Sequence, residues 1–90
     1  MRVLVVADES YLADAIALGL RRETMAVDVV GDGAEALAQV EFNDYDVVVL
    51  DRDLPGVHGD EVCARLAREH PDVKVLMLTA ARSLRERVEG

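Results

Sequence analysis

Carboxylates follow two apolar runs of this sequence, at the point where each run stops. The run at residues 47–50 leads directly into Asp51, and the run at residues 3–6 leads, after one alanine, into Asp8 and Glu9. In parallel α/β sheets, ligands bind in the crevice at the carboxyl ends of the strands. If the two runs form neighbouring strands, Asp8 and Asp51 converge on one site.

Such a pair is typical of a divalent-metal site with a nucleophilic carboxylate. Two carboxylates about 4 Å apart repel by roughly 4 kcal/mol at an effective dielectric constant of about 20, so a bridging cation would stabilise them. Mg²⁺ prefers oxygen ligands and leaves positions for phosphate oxygens. Asp51 could then attack phosphorus and form an acyl phosphate. Asp53 lies in the following loop, and Thr79, after another apolar run, could donate a hydrogen bond to a phosphoryl oxygen.

Alternating strand and helix patterns position these residues. Strands are predicted at residues 2–7, 26–30, 46–50 and 73–78, and helices at residues 10–23 and 33–42, from Gly59 until before Pro71, and from Ser83 onward. This βαβαβαβα order predicts an α/β fold, a doubly wound parallel sheet covered by helices on both faces. With strand order 2-1-3-4, the ends of strands one and three meet at the topological switch point.

Caps and helical periodicity add detail to the predicted helices. Asp32 followed by Glu35 predicts an N-terminal cap, and Ser83 followed by Glu86 predicts another. Asp8 could cap the first helix as well as bind a metal. The residues predicted to face inward are Leu12, Ala15, Ile16, Gly19 and Leu20 in the first helix and Val62, Leu66 and Ala67 in the third.

The composition indicates one small globular domain, because 51% of the 90 residues are hydrophobic. The formal net charge of −8 argues against nucleic acid or an anionic membrane as a direct partner. With no signal-peptide pattern and no apolar run of membrane-spanning length, we expect a cytoplasmic protein. Cys63, the single cysteine, cannot form an internal disulfide and is predicted to be a buried, reduced thiol.

Three motifs together resemble the receiver domain of two-component response regulators, in the class that carries a winged-helix transcription factor. They are residues 5–9 (Val-Val-Ala-Asp-Glu), residues 50–59 with the pattern Asp-x-x-x-Pro-Gly-x-x-Gly, and residues 77–80 (Met-Leu-Thr-Ala). Their order and spacing across the chain are specific, and the loop pattern is the strongest of the three. The resemblance implies one receiver domain over residues 1–90 with a flavodoxin-like fold, in which a fifth strand extends the order 2-1-3-4.

The resemblance also implies roles for individual residues. By position, Asp51 would be the phosphoacceptor, Asp8 a direct Mg²⁺ ligand, and Asp53 a ligand through its backbone carbonyl. Thr79 would be the switch hydroxyl that follows the phosphoryl group. The phosphoryl donor would be a sensor histidine kinase, and phosphorylation would change the interaction surface to control an output such as transcription. Such a protein is a phosphoacceptor regulator rather than an enzyme, with at most autocatalytic phosphotransfer and dephosphorylation.

Two features depart from the family pattern. The family normally has two adjacent acids after strand one, and here the first is Ala7, which should weaken Mg²⁺ binding. The chain also ends at Gly90, before the fifth strand, its lysine and the last helix, so the resemblance implies a receiver that is incomplete at its C-terminus. Strand four would be an exposed apolar edge unless a longer chain or a second copy supplies its neighbour. We therefore expect a homodimer through the C-terminal helix and the missing-strand face.

Two alternative functions stay open at this point. Ala7 is compatible with a receiver-like interaction module that no longer depends on phosphate. The sequence Asp51-Arg52-Asp53 also satisfies the Asp-x-Asp motif of haloacid-dehalogenase-type phosphohydrolases, although that motif usually follows the first strand and here follows the third.

Overall fold

The computed structural model describes residues 1–78, in which strands and helices alternate as predicted. The strands are β1 (Arg2–Val6), β2 (Ala26–Val30), β3 (Val47–Asp51) and β4 (Lys74–Leu78), and the helices are α1 (Ser10–Arg22), α2 (Gly33–Phe42) and α3 (Gly59–Glu69). The boundary that matters most for function is that of β3, which ends at Asp51 itself and not at Leu50. Thr79 and the helix predicted from Ser83 lie outside the described residues.

All four strands run parallel in the order β2-β1-β3-β4. Val6, the last residue of β1, is level with Val30 of β2 and with Leu50 of β3. Asp51 is level with Leu78 of β4. The predicted doubly wound order is therefore confirmed, and it brings the ends of β1 and β3 side by side.

Helices cover both faces of the sheet. Successive side chains of a strand point to opposite faces, so each strand contributes buried residues to two separate clusters. On one face, buried strand residues pack against α2 and α3; this cluster includes Leu4, Val6, Val48, Leu50, Ala36, Val40, Val62 and Leu66. On the other face, buried strand residues pack against α1; this cluster includes Val3, Val5, Val49, Ala13 and Ala17. Burial on both faces explains why the central strands read as almost unbroken runs of valine and leucine.

The buried face of α1 differs from the predicted one. Ala13 and Ala17 are the buried residues of this helix, with Ile16 and Leu20 partly buried beside them. The residues that were predicted to face inward but are exposed are Leu12, Ala15 and Gly19. Small side chains let a helix backbone approach a sheet closely, so the contact is centred on the two alanines and the larger residues flank it.

Two predictions about α3 were only partly right. Val62 and Leu66 are fully buried as expected, whereas Ala67 is exposed. Consecutive residues of an α-helix lie about 100° apart around its axis, which turns Ala67 out of the narrow face that holds Leu66. Cys63 is a free thiol that packs against the core but is only partly buried.

The predicted cap of α2 is confirmed. The side chain of Asp32 accepts a hydrogen bond of 2.7 Å from the backbone N–H of Glu35, and the Glu35 carboxylate accepts one of 3.2 Å from the N–H of Gly31. These bonds fix the point at which the helix begins. None of the helices within residues 1–78 combines the length and the apolar character needed to cross a membrane.

A polar network that the sequence analysis did not identify ties together the amino end of the sheet. The Tyr45 hydroxyl lies 2.6 Å from Asp28 Oδ2 and 3.1 Å from Gln39 Oε1. The Arg2 guanidinium donates to the same Asp28 oxygen at 3.0 Å, and the Arg2 backbone N–H donates to Asp46 Oδ2 at 2.8 Å. Burial, reinforced by Asp28, raises the pKa of Tyr45 to about 12. The hydrogen bond from Tyr45, together with Arg2, lowers the pKa of Asp28.

Within residues 1–78, β4 forms one edge of the sheet and pairs only with β3. Its residue Leu76 is 57% exposed, although it is a large apolar side chain. Val75 and Met77 point to the other face and pack partly against the core beneath α2 and α3. The described part of β4 therefore presents apolar surface along one edge, as the sequence predicted.

Candidate functional site

Asp51 is the last residue of β3 and is half-buried. Its carboxylate Oδ1 accepts a hydrogen bond of 3.0 Å from the backbone N–H of Asp53. A carboxylate that binds the backbone two residues ahead forms an Asx turn, which sharply redirects the chain. The end of the strand and the start of the loop are thus joined through the same side chain that was predicted to carry the chemistry.

Asp8 follows the end of the neighbouring strand. The N–H of Ala7 donates to the carbonyl of Val30 at 3.1 Å, which continues the β1–β2 pairing past Val6. Continuing the β1–β3 register by one residue places Ala7 level with Asp51, and Asp8 comes next along the chain and is exposed. The N-cap of α1 is Glu9, so Asp8 does not take the alternative capping position.

The loop after Asp51 is anchored by one buried side chain and turned by one glycine. Leu54 is 4% exposed and belongs to the core beneath α2 and α3. Gly56 has a φ of +73°, in the left-handed region that glycine adopts without the steric cost borne by other residues. The Pro-Gly pair of the motif therefore forms the exposed tip of a loop that Leu54 holds against the protein.

Gly59 lets α3 begin directly against this strand end. A Cβ at this position would lie 2.7 Å from the carbonyl oxygen of Asp51 and 2.7 Å from Cα of Arg52. The N–H of Gly59 also donates to the carbonyl of Arg52 at 3.2 Å. The second glycine of the motif is therefore required by close backbone packing around Asp51, since any side chain would displace the loop.

The charged side chains around the loop are exposed. Arg52 Nε lies 3.6 Å from Asp60 Oδ2, in the first turn of α3. His58 is the N-cap of α3 but makes no side-chain capping bond. An exposed ion pair of this kind contributes little to stability, roughly 0–1 kcal/mol. Its effect is to direct the cationic side chain next to Asp51 towards α3.

The donor chemistry of the predicted metal ligands fits Mg²⁺. The set consists of oxygens alone: the carboxylates of Asp8 and Asp51 and the backbone carbonyl of Asp53. Within residues 1–78, no group of three or more His, Cys, Asp or Glu side chains is placed to hold a metal ion by itself. Mg²⁺ is commonly held by only one or two carboxylates, with waters and phosphate oxygens completing its octahedron. Two carboxylates and a carbonyl are therefore an adequate protein contribution.

Thr79, the remaining predicted site residue, lies outside the described residues. Gly33, at the start of α2, contacts the loop that follows Asp51 and was not singled out as a site residue. It directly follows the capping residue Asp32, but nothing in the sequence indicates which loop it contacts.

The family model described as the response regulator receiver domain matches residues 3–90. The chain belongs to this family. The receiver is 64% identical over 90 residues to the transcriptional regulatory protein CutR of Streptomyces coelicolor, an alignment that covers 100% of this chain and 42% of CutR. The chain thus spans less than half the length of this relative. CutR and other similar proteins are named as transcriptional regulators, not as enzymes.

Solved structures of response regulators share the fold. The crystal structure of the response regulator TrrA from Thermotoga maritima in complex with Mg²⁺-BeF matches the receiver with a TM-score of 0.86 at 34% identity, covering 94% of this chain and 74% of that chain. A structure of the histidine kinase ThkA in complex with TrrA matches with a TM-score of 0.82 at 28% identity, covering 98% of this chain and 95% of that chain. The flavodoxin-like receiver architecture is confirmed.

Proposed function

We propose that this receiver is a phosphorylation-dependent signalling switch. Asp51 accepts a phosphoryl group from a sensor histidine kinase, and the modified domain changes its interaction surface to control an output, transcription. The observation that supports this most directly is the sheet order β2-β1-β3-β4, which sets Asp51 at the end of β3 beside the chain segment that carries Asp8.

The proposed reaction is a phosphoryl transfer between two protein side chains. A carboxylate oxygen of Asp51 bonds to phosphorus while the bond between phosphorus and the histidine nitrogen of the kinase breaks. The electron pair of that bond returns to the imidazole, which takes up a proton. The product on the receiver is an aspartyl phosphate. The chain contributes at most its own phosphorylation and dephosphorylation and does not turn over a separate substrate.

In this proposal Asp8, Asp51 and the carbonyl of Asp53 hold Mg²⁺. The ion, when bound, neutralises the charge on the phosphoryl oxygens. The hydrogen bond between Asp53 N–H and Asp51 Oδ1 orients the accepting carboxylate. Thr79 is proposed as the hydroxyl that binds the phosphoryl group and transmits the change. The complex of TrrA with Mg²⁺-BeF supports the metal requirement by likeness.

The named relatives support two of the proposed partners and outputs. ThkA bound to TrrA supports a histidine kinase as the phosphoryl donor, and the name of CutR supports transcription as the output. Homodimerisation through the C-terminal helix and the missing-strand face, and a cytoplasmic location, stay predictions.

Incubating the chain with acetyl phosphate, with and without Mg²⁺, tests the proposal. We expect a covalent, hydroxylamine-sensitive phosphoryl adduct that requires Mg²⁺ and maps to Asp51 by mass spectrometry. Asp51→Asn should remove the adduct, because an amide is not a competent nucleophile. Asp8→Asn should weaken Mg²⁺ binding by about tenfold or more, because one anionic ligand is lost.

Asp44→Asn is the matched control, since Asp44 is an exposed carboxylate in the loop before β3, at the amino end of the sheet. It should be phosphorylated like the unmodified chain. Absence of an adduct at every acetyl phosphate concentration, in a chain that binds Mg²⁺ and is folded, would exclude the proposal.

One observation favours a second candidate, an interaction module that does not need phosphate. Ala7, where the family has an acid, is only 2% exposed and packs in the core beneath α1. If this candidate is right, the chain binds its partner equally well with Asp51 intact or replaced by asparagine. The phosphohydrolase alternative gains no support from the relatives, which are named as transcriptional regulators.

A further inference from the structure

The first residue of α2 abuts the loop that follows Asp51. A Cβ on Gly33 would lie 2.5 Å from the carbonyl oxygen of Val57, 2.8 Å from Cγ2 of Val62 and 3.0 Å from Cβ of Val57. The nearest of these atoms belongs to the backbone, which cannot rotate away as a flexible side chain can. A side chain at position 33 would therefore have to push the loop or the helix out of place.

The same loop is also held at two other points. Leu54 is buried in the core, and Gly59 packs against the backbone of Arg52 at the base of the loop. Val57 lies between these two points and is partly buried against the same core as Leu54. Gly33 meets the loop at Val57, which lies between these two points in the sequence.

The loop tip borders open space on the α2 side. An open hollow of about 240 Å³ is lined by Asp32 and Ala34 at the start of α2 and by Pro55 and Gly56 at the loop tip. The hollow therefore separates the start of α2 from the loop tip. They meet through the backbone contact at Gly33.

Two other glycines, Gly31 and Gly19, do not show this packing. A Cβ on Gly31, two residues earlier in the same connection, would meet no atom within 4 Å, and the same holds for Gly19 in α1. Gly31 does not have a positive φ either. Position 33 therefore requires glycine because of its contact with Val57. Gly31, in the same connection between β2 and α2, has no such contact.

We propose that Gly33 is a positioning residue for the phosphoryl-accepting site. It sets the position of the loop at Val57 and thereby the position of Asp53, whose N–H binds the Asp51 carboxylate. The inference rests on the proposed function, because it assigns to Gly33 an effect on the phosphorylation of Asp51 and on Mg²⁺ binding.

The primary test is Gly33→Ala in the chain. We expect acetyl phosphate to modify Asp51 about tenfold to a hundredfold more slowly, since displacements of about 1 Å at a reacting group have effects of this size. Mg²⁺ affinity should fall in parallel. The backbone amide NMR signals of Asp51 and Asp53 should shift, and these signals report the loop geometry whether or not phosphorylation occurs.

Two control variants separate positioning from general destabilisation. Gly31→Ala adds the same methyl group in open space and should leave the phosphorylation rate and the amide signals unchanged. Val40→Ala removes a buried side chain of α2 remote from the loop and should lower the melting temperature without slowing phosphorylation. If Val40→Ala and Gly33→Ala have similar melting temperatures and only Gly33→Ala is phosphorylated more slowly, lost stability does not explain the slower reaction.

A second pair of variants approaches the contact from the loop, in case Gly33→Ala does not fold. Val57→Gly removes the Cβ next to Gly33 and gives the backbone at position 57 more conformational freedom, whereas Val57→Ala keeps this Cβ. Both lose the same packing of the outer side chain. We expect slower phosphorylation and shifted Asp51 and Asp53 signals for Val57→Gly relative to Val57→Ala.

The outcomes distinguish this inference from the proposed function. If the unmodified chain forms no adduct, the proposed function fails, and the amide signals still decide the role of Gly33. If the unmodified chain is phosphorylated and folded Gly33→Ala behaves like Gly31→Ala in rate and in amide signals, Gly33 is not a positioning residue. Equal behaviour of Val57→Gly and Val57→Ala would overturn the inference in the same way.

Discussion

Within residues 1–78, the carboxylate of Asp51 is oriented by a backbone N–H, and the cation next to it in the sequence points elsewhere. Oδ1 binds the N–H of Asp53, while the adjacent Arg52 is directed towards Asp60 in α3. A backbone donor fixes the orientation of a carboxylate while leaving its negative charge in place. Both proposed roles of Asp51, as nucleophile and as metal ligand, need that charge.

Ala7 offers a direct test of the proposed metal site. It is level with Asp51 on the neighbouring strand and is almost fully buried. We expect Ala7→Asp to bind Mg²⁺ about tenfold more tightly, because it restores an acid beside the ion. Without Mg²⁺ the same variant should lose about 1–3 kcal/mol of unfolding free energy, because a carboxylate is buried close to another. Mg²⁺ titration and urea unfolding with and without the ion measure the two effects.

The control for this prediction is Ala7→Asn, which adds a side chain of the same size without the charge. It should lose stability but gain little Mg²⁺ affinity, and added Mg²⁺ should restore its stability less than that of Ala7→Asp. If Ala7→Asp binds Mg²⁺ no better than the unmodified chain, position 7 does not contribute to the metal site.

Among the elements, those that carry the acids were the most predictable from the sequence. The runs before Asp8 and Asp51 are apolar and short, which predicted buried parallel strands, and the βαβ order then restricted the topology to a few arrangements. The convergence of the ends of β1 and β3 followed from that order. Chain connectivity therefore carried most of the information about the candidate site.

The orientation of α1 was not predictable in the same way. Its apolar residues occur almost all the way round the helix, so that more than one face could pack against the sheet. The regular spacing of Leu12, Ile16 and Leu20 favoured one face, whereas the structure buries Ala13 and Ala17. Close approach of backbones decides between such faces, and it depends on the shape of the sheet, which a one-dimensional pattern does not describe.

A pair of substitutions checks this orientation of α1. Ala17→Leu should lower the unfolding free energy by about 1–3 kcal/mol, because a larger side chain overfills the contact between α1 and the sheet. Ala15→Leu makes the same change on the exposed side of the helix and should alter stability by less than about 0.5 kcal/mol. Urea unfolding of the two variants distinguishes the faces, and a larger loss for Ala15→Leu would mean that the original sequence-based orientation was right.

Contacts between distant segments could not be read from the sequence at all. The contact of Gly33 with Val57 joins the start of α2 to the loop after β3, and the hydrogen bond of Tyr45 with Asp28 joins the segment before β3 to β2. Neither residue type nor local spacing identifies these partners, because the contacting residues are far apart in the sequence. The function of Thr79 depends on residues outside the described range and stays a prediction.

At the scale of the whole molecule, the carboxyl and amino ends of the sheet differ in the residues they carry. The carboxyl end of the sheet carries the exposed acids and the loop after Asp51, where reaction and metal binding are proposed. The amino end is closed by the network of Arg2, Asp28 and Tyr45, which links β1, β2 and the segment before β3. The hydrogen bonds and ion pair of this network therefore lie away from the acids of the proposed site.

The amino-end network predicts how the stability of the whole domain changes at alkaline pH. The pKa of Tyr45 is raised from its usual 10.0 to about 12, mainly by burial. The contribution of Tyr45 to the free energy of unfolding is therefore fully present below about pH 10. It is lost as the pH rises towards 12, because the tyrosine ionises at a lower pH in the unfolded chain than in the folded one. A shift of this size corresponds to about 2–3 kcal/mol. Urea unfolding at a series of pH values should show this loss.

Tyr45→Phe isolates the contribution of the hydroxyl. The variant should be less stable at neutral pH by about 1–3 kcal/mol, because the acceptors on Asp28 and Gln39 each lose one of their donors. Its stability should then fall less steeply between pH 10 and 12 than that of the unmodified chain, since no buried phenol resists ionisation. Tyr11→Phe, at a tyrosine that is 85% exposed, should keep the steep alkaline loss. If Tyr45→Phe and the unmodified chain lose stability equally over this range, another group controls the alkaline transition and the amino-end network does not set the stability of the domain.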